Sequence, residues 1–349
     1  MNADWQTLNN KYYKGREKTM EVIEQGIGKI FTDPDADKAR EFFRKKSRAL
    51  QPKVMSVKDA VAKFVKDGDY LTLGGFGANR IPASVAHEIV RQGRKNMGFA
   101  GHTSTHDFQI LCAGEVFNKL DAAYVVGLEA RGLSPNARKY MESGKVDVSE
   151  WTNYSLSVRF KAAAAGVSFY PSRNIMGTDT FKFSGAKVIK CPFTGTKYAA
   201  MPAIYPDVSA IHVHESDIYG NCRIRGITVS DFDVARASKR LIITCERLIS
   251  TEEIRRDPSY TVIPYWLVDA VCEVPFGSYP GNMYGEYFSD EEHIREWLKV
   301  EEDPDEFKKF LDKNIFGCKD HFEYIEKNGG MHKMQKLRNK EFLFVKARD

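Results

Sequence analysis

The sequence predicts an α/β protein with an open, largely parallel sheet and helices on both faces. Three observations lead there. Short apolar runs alternate with helical patterns from Ser56 to Ser250, the rhythm of strands joined by crossover helices. A strand, a glycine turn and a helix follow one another in Leu71-Thr72-Leu73-Gly74-Gly75-Phe76-Gly77-Ala78-Asn79-Arg80-Ile81-Pro82. The 349 residues are 42% hydrophobic and 28% charged, enough to bury one large core.

Residues 1–53 read as a charged, helical N-terminal extension. Residues 17–30 and 37–50 look like two amphipathic helices split by Thr32-Asp33-Pro34-Asp35, with Phe42, Phe43 and Leu50 as the buried stripe of the second. The α/β domain then spans 54–288. Ser56 is placed to cap a helix, with Asp59 as its reciprocal partner. Val57, Ala60, Val61, Phe64 and Val65 fall on one helical face. Gly68 suits the left-handed stop, and Tyr70 to Leu73 is a short buried strand. A helix over 83–92 follows the glycine turn.

Further strands are expected at 97–100, 122–127, 187–191, 210–213, 241–245 and 270–274, with helices at 135–143, 154–165 and 232–239. His212 and His214, two apart on a strand, share a face and read as structural or pocket-lining. Past residue 288 the composition turns charged and helical. Segments 291–300, 303–314 and 319–327 suit a C-terminal cap, with Asp305 and Lys309 as an i,i+4 pair. Residues 331–349 form a basic, then apolar tail.

Several classes of function are disfavoured. The net charge is +5, but 52 basic and 47 acidic residues are interleaved, whereas nucleic-acid binding favours a concentrated basic patch. No apolar run approaches the length of a membrane span. The six cysteines are scattered without a C-x-x-C pair, as expected of free thiols in the cytoplasm. Gly101-His102-Thr103-Ser104-Thr105-His106-Asp107 holds two histidines four apart, but H-x-x-x-H without another placed ligand is a weak metal signal, and none is expected. A loop lining an acyl pocket, from His102, Thr103, Ser104 and His106, is the better expectation.

The glycine turn carries the candidate chemistry. Glycine lets a ligand approach the main chain, and a strand-to-helix turn presents backbone N–H groups suited to a phosphate or a developing oxyanion. Gly74, Gly75, Phe76, Gly77, Asn79 and Arg80 are therefore the expected cleft residues. The dinucleotide fingerprint G-x-G-x-x-G is not met, because Arg80 and Ile81 occupy the region of its last glycine. A tight turn with no other role would need the same glycines.

Asp67-Gly68-Asp69-Tyr70-Leu71-Thr72-Leu73-Gly74-Gly75-Phe76 with Pro82 resembles the first signature of the family I CoA-transferases. Arg80, where the family usually has glycine, is shared with the A-type (alpha) subunit branch of the glutaconate CoA-transferase kind. Ala163-Ala164-Ala165-Gly166, Ile211-His212, Thr251-Glu252-Glu253-Ile254-Arg255-Arg256-Asp257-Pro258 and Pro275-Phe276-Gly277-Ser278-Tyr279-Pro280 extend the likeness in the same order. The segment at His102–Asp107 departs from it, being glycine-rich in that branch.

The resemblance implies the A-type subunit of a two-subunit enzyme that moves CoA from a thioester to a carboxylate. CoA thioester is then substrate, and no permanently bound cofactor is expected. The nucleophilic glutamate is implied to lie on the B-type subunit, a separate chain, in a hetero-oligomer with several copies of each. Glu129, in Gly127-Leu128-Glu129-Ala130-Arg131-Gly132, is the candidate that would contradict this. A CoA-thioester hydrolase or decarboxylase on the same scaffold, or a non-catalytic paralogue, remains the alternative.

Overall fold

The computed structural model describes residues 20–125 and 131–346. Two sheets organise them. The strands are β1 (Val22–Gln25), β2 (Tyr70–Leu73), β3 (Met97–His102), β4 (Phe117–Ala123), β5 (Asp147–Glu150), β6 (Phe169–Ser172), β7 (Lys187–Lys190), β8 (Lys197–Pro202), β9 (Val208–Ser216), β10 (Cys222–Arg223), β11 (Arg240–Leu248) and β12 (Ala270–Glu273). The larger sheet has the order β12-β11-β9-β2-β3-β4-β5, and β10 pairs with β9. Every pairing along that order is parallel, and β10 alone runs antiparallel.

Both faces are covered, which a parallel sheet requires. Leu241, Ile243 and Cys245 point into one core with Trp151, Leu156 and Phe160 of the helix Asn153–Ala165 and its approach. Ile242 points the other way, toward Val85 and Ile89 of the helix Ala83–Arg91 and Trp297 of the helix Glu291–Val300. This period-two split is the pleat of a two-faced strand. Ser56 caps the helix Val57–Phe64 by accepting from the Asp59 N–H at 3.1 Å, and its hydroxyl donates to Asp59 at 2.7 Å.

A second, antiparallel sheet has the order β1-β7-β8-β6. The strand expected at 187–191 belongs here, not to the parallel sheet. Its edge overturns the helix expected over 17–30: residues 22–25 pair with β7, Val22 opposite Ile189. A β-branched Val22-Ile23 pair resists helix and fits a pleated edge. The second expected helix is shorter, Ala36–Lys45, and buries Ala36 and Ala39, while Leu50 is exposed.

Other boundaries shift too. The strand expected at 122–127 begins earlier, at Phe117, and ends at Ala123; Val126 and Gly127 lie outside the described residues. Lys309 pairs with Glu306 at 2.8 Å, one position away from the expected Asp305. The tail forms the helix Gly330–Lys346, with Met334 and Leu337 buried beside Phe276, Tyr279 and Tyr287. Glu341 accepts the Gly285 N–H at 2.8 Å, tying the tail to the loop after β12.

Candidate functional site

Strand order reverses beside β2. Successive connections run outward from β2 to β3, β4 and β5, and the later strands β9, β11 and β12 add on its other side. A crevice at the carboxyl ends of strands forms at such a reversal, where open α/β sheets bind ligands. Gly74 to Gly77 begin there. β2 stops its pairing at Leu73 opposite Ala210, while β9 continues to Ser216.

The turn is held by contacts from three directions. Gly75 has φ +93°, and a Cβ there would lie 2.7 Å from the carbonyl oxygens of Arg80 and Asn79, so glycine is required twice over. The Asn282 main chain pairs with the turn through Arg80 N–H to Asn282 O at 2.8 Å and Asn282 N–H to Ala78 O at 2.9 Å. Gly77 donates to Thr103 O at 3.0 Å, and the Thr105 hydroxyl donates to Gly77 O at 2.9 Å. The two loops flanking the crevice, 103–105 and 275–284, thus clasp it.

This clasp corrects the expectation of bare donors. Gly74 N–H donates to Ala210 O, Gly75 N–H to Asp231 Oδ1 at 3.0 Å, Phe76 N–H to Asn79 O and Gly77 N–H to Thr103 O. Among the described residues, the Ala78 N–H finds no acceptor. Asn79 is fixed through its side-chain oxygen, which accepts from Asn282 Nδ2 at 3.2 Å and the Tyr284 N–H at 3.3 Å. Its amide nitrogen is left as an oriented donor on a partly exposed residue.

Arg80 is neither a surface charge nor aimed into the crevice. Its side chain is 0% exposed, and Nη2 lies 2.7 Å from Asp231 Oδ2 as an ion pair. Nη2 also donates to Ile227 O, and Nη1 to His212 O at 3.4 Å. A guanidinium so buried needs these partners. Asp231, absent from the sequence-based list, therefore holds Gly75 with one oxygen and Arg80 with the other.

The histidine loop divides. His102 Nε2 meets the Ser157 hydroxyl at 2.8 Å and Asn153 O at 3.2 Å, its ring centroid 6.4 Å from that of Phe76. Burial pushes its pKa down. His106 turns away into the core against Trp297, centroids 4.7 Å apart, with Gln109 on Nδ1, and burial lowers its pKa to about 4. Thr103 and Ser104 run alongside the turn, and both are buried. Asp107 accepts the Thr105 N–H at 2.8 Å, and burial raises its carboxyl to about 6. The described residues hold no group of side chains that could bind a metal ion.

His212 and His214 both serve structure. His212 bridges Thr244 at 2.8 Å and Glu246 at 2.7 Å. Burial would raise the Glu246 pKa, but His212, the Phe276 N–H and the Tyr287 hydroxyl together hold it below the usual value. His214 accepts the Arg225 N–H and faces Tyr284 O, and burial lowers its pKa to about 4. Glu129 lies outside the described residues.

The pattern of the Coenzyme A transferase family matches residues 54–274. The chain belongs to the coenzyme A transferase family. Within family I it is of the A-type kind, one chain of a transferase enzyme. It is 34% identical over 294 residues to the A-type subunit of the Acidaminococcus fermentans glutaconate CoA-transferase, covering 79% of this chain and 92% of that one. The crystal structure of that bacterium's glutaconate CoA-transferase superposes with a TM-score of 0.77 at 33% identity, over 80% of this chain and 93% of the other. The A-type subunit of the Pseudomonas knackmussii 3-oxoadipate CoA-transferase is 32% identical over 278 residues, 78% of this chain and 97% of the relative. The decarboxylase AibA/AibB, as its C56S variant, superposes with a TM-score of 0.68 at 27% identity, over 75% and 98%. In this CoA-transferase chain the reversal point, the glycine turn and the matched segment coincide. No described helix is long and apolar enough to cross a membrane.

Proposed function

We propose that this chain is the A-type subunit of a two-subunit CoA-transferase, moving CoA between an acyl-CoA thioester and a short or dicarboxylic acid of the glutaconate type. The observation that carries the reading is its likeness to the corresponding chain of glutaconate CoA-transferase, over 92% of that relative's length. The working form is a hetero-oligomer with several copies of each chain, in the cytoplasm. CoA thioester is a substrate, and no resident cofactor takes part.

The chemistry needs a nucleophilic carboxylate, and Asp231, the carboxylate that touches the turn, is consumed by Arg80 and Gly75. On the likeness to two-chain CoA-transferases, the attack on the thioester carbonyl is assigned to a glutamate of the B-type partner. The C–S bond breaks, CoA leaves as thiolate, and an acyl–glutamyl anhydride forms. The thiolate attacks the glutamyl carbonyl, releasing the first acid and leaving a glutamyl-CoA thioester. The acceptor carboxylate reverses both steps. Each addition puts negative charge on an oxygen. The Ala78 N–H and Asn79 Nδ2 are the donors this chain would aim at it. Loop residues His102, Thr103 and Ser104 would border the acyl group.

The test is covalent trapping. The two chains are purified together, incubated with acyl-CoA and reduced with borohydride, and each is analysed by mass spectrometry. A glutamate reduced on the partner alone supports the reading, and a modified Glu129 overturns it. The likeness to AibA/AibB favours a second reading, decarboxylation of a CoA thioester. Loss of CO₂ from acyl-CoA without any acceptor acid would select it.

A further inference from the structure

Behind the loop that clasps the turn lies a cavity of about 370 Å³, between the start of the helix Val57–Phe64, the helix Ala83–Arg91 and the helix His321–Lys327. Three polar atoms of its lining residues are buried without any partner: Ser84 Oγ, Arg91 Nη2 and His321 Nδ1. Buried polar atoms left unpaired are costly and need a cause. His321 Nε2 lies 2.8 Å from Phe276 O. A carbonyl only accepts, so Nε2 carries the proton and Nδ1 is an empty acceptor. Arg91 Nη2 is an unused cationic donor, its other nitrogens held by Glu88 and by Ile315 O.

The rim carries two lysines alongside the carboxylates of Glu273 and Asp320. Lys58 and Lys319 are exposed and form no ion pair among the described residues. The carboxylates of the lining are all engaged. Glu88 binds Arg91 and Gln92, Glu273 accepts the Leu248 N–H at 3.0 Å, and Asp320 accepts the Glu323 N–H at 2.9 Å. A second opening of about 520 Å³ shares Lys58, Glu88, Arg91 and Lys319.

We propose that this cavity binds a small hydroxylated anion, its negative end on Arg91, Lys58 and Lys319 and its hydroxyl between Ser84 Oγ and His321 Nδ1. Carboxylate and phosphate heads share the required chemistry. The site is separate from the crevice but mechanically joined to it: the Ser84 N–H donates to Gly277 O at 3.1 Å, and His321 holds Phe276. Its occupant would brace the loop that carries Asn282.

The test is calorimetric titration of the full chain with malate, its deoxy counterpart succinate, and glycerol 3-phosphate. Malate or glycerol 3-phosphate should bind, the better head identifying the source, and malate should bind about tenfold tighter than succinate. Ser84→Ala should narrow the gap between malate and succinate. Lys58→Glu with Lys319→Glu should weaken the bound anion about tenfold. Failure of both hydroxylated anions to bind, equal affinity for succinate and malate, or binding indifferent to the rim charges would each overturn the proposal.

Discussion

Asp231 divides its carboxylate between two distant points of one turn, with Oδ1 on the Gly75 N–H at 3.0 Å and Oδ2 beside Arg80 Nη2 at 2.7 Å. The Arg80 and Asp231 side chains are almost wholly buried. Removing one charge from such a pair strands the other, a loss of about 3–5 kcal/mol. Asp231→Ala should cost that much in unfolding free energy. Arg80→Met combined with Asp231→Ala should be less damaging than the sum of the singles. Strict additivity would show that the pair does not couple. Arg80→Lys should lower stability, with no selective effect on the Michaelis constant of the free acid.

Gly75 and Gly77 separate conformation from space. Both have positive φ, +93° and +62°, but a Cβ at Gly77 meets nothing within 4 Å. Gly77→Ala should cost about 1 kcal/mol, the left-handed penalty. Gly75→Ala adds a clash with two carbonyls and should cost about 1–3 kcal/mol more, with loss of transferase turnover beyond the loss of stability. Equal melting shifts for the two would discount the clash.

Asn79 tests the oriented donor. Asn79→Ala should lower kcat about 100-fold. It also removes the oxygen that accepts from Asn282 Nδ2 and the Tyr284 N–H, a loss of about 1 kcal/mol, so turnover should fall far more than stability. Asn79→Asp replaces the donor by an acceptor and should be no better than alanine. Wild-type turnover in Asn79→Asp would remove the residue from the chemistry.

Acid should loosen the helical cap. Burial lowers His106 and His321 to about 4 and His293 to about 3. Below about pH 6.5 the unfolded chain binds protons that the native chain refuses, so stability falls as pH drops, levelling off beneath about 4 for His106 and His321 and beneath about 3 for His293. Above 6.5 both states are neutral and nothing is gained. Each fully buried ring contributes about 3 kcal/mol to the fall. Asp107, raised to about 6, acts in the opposite direction and offsets part of it. Denaturation midpoints from pH 7.5 to 4.5 should slope downward, less steeply in His321→Gln. A flat profile would refute the assignment.

Reconstitution with the second chain gives a further check. This chain expressed alone should show no transferase activity, and activity should appear when the B-type chain is co-expressed and co-purified. Full activity from this chain alone would refute the two-chain reading.

Local signals carried well into the structure. The Ser56–Asp59 cap, the strand Tyr70–Leu73 and the helix after Pro82 depend on neighbours in sequence, and all stand where the pattern put them. The glycine turn was legible as a place but not as a set of donors. Its N–H groups are satisfied by Asp231, Ala210 and Thr103, partners that only tertiary structure brings near. Arg80 was misread for the same reason: nothing beside it in sequence names Asp231. A helical pattern at 17–30 yielded to a strand because β7 supplies the pairing, a contact no local propensity contains.

The strand order also constrains how the chain can fold. β2, β3, β4 and β5 are neighbours in sequence order and can assemble early, but β2 meets its other neighbour only when Leu71 finds Val208. The small sheet waits equally long, because Val22 must find Ile189. During synthesis the open edge of β2 and the free β1 strand therefore coexist for much of the chain's emergence. Such long-range closures slow folding, and an unpaired apolar edge invites association with other chains. The glycine turn can take its final shape only after β9, Asp231 and Asn282 have been synthesised, all of them later in the chain than β5.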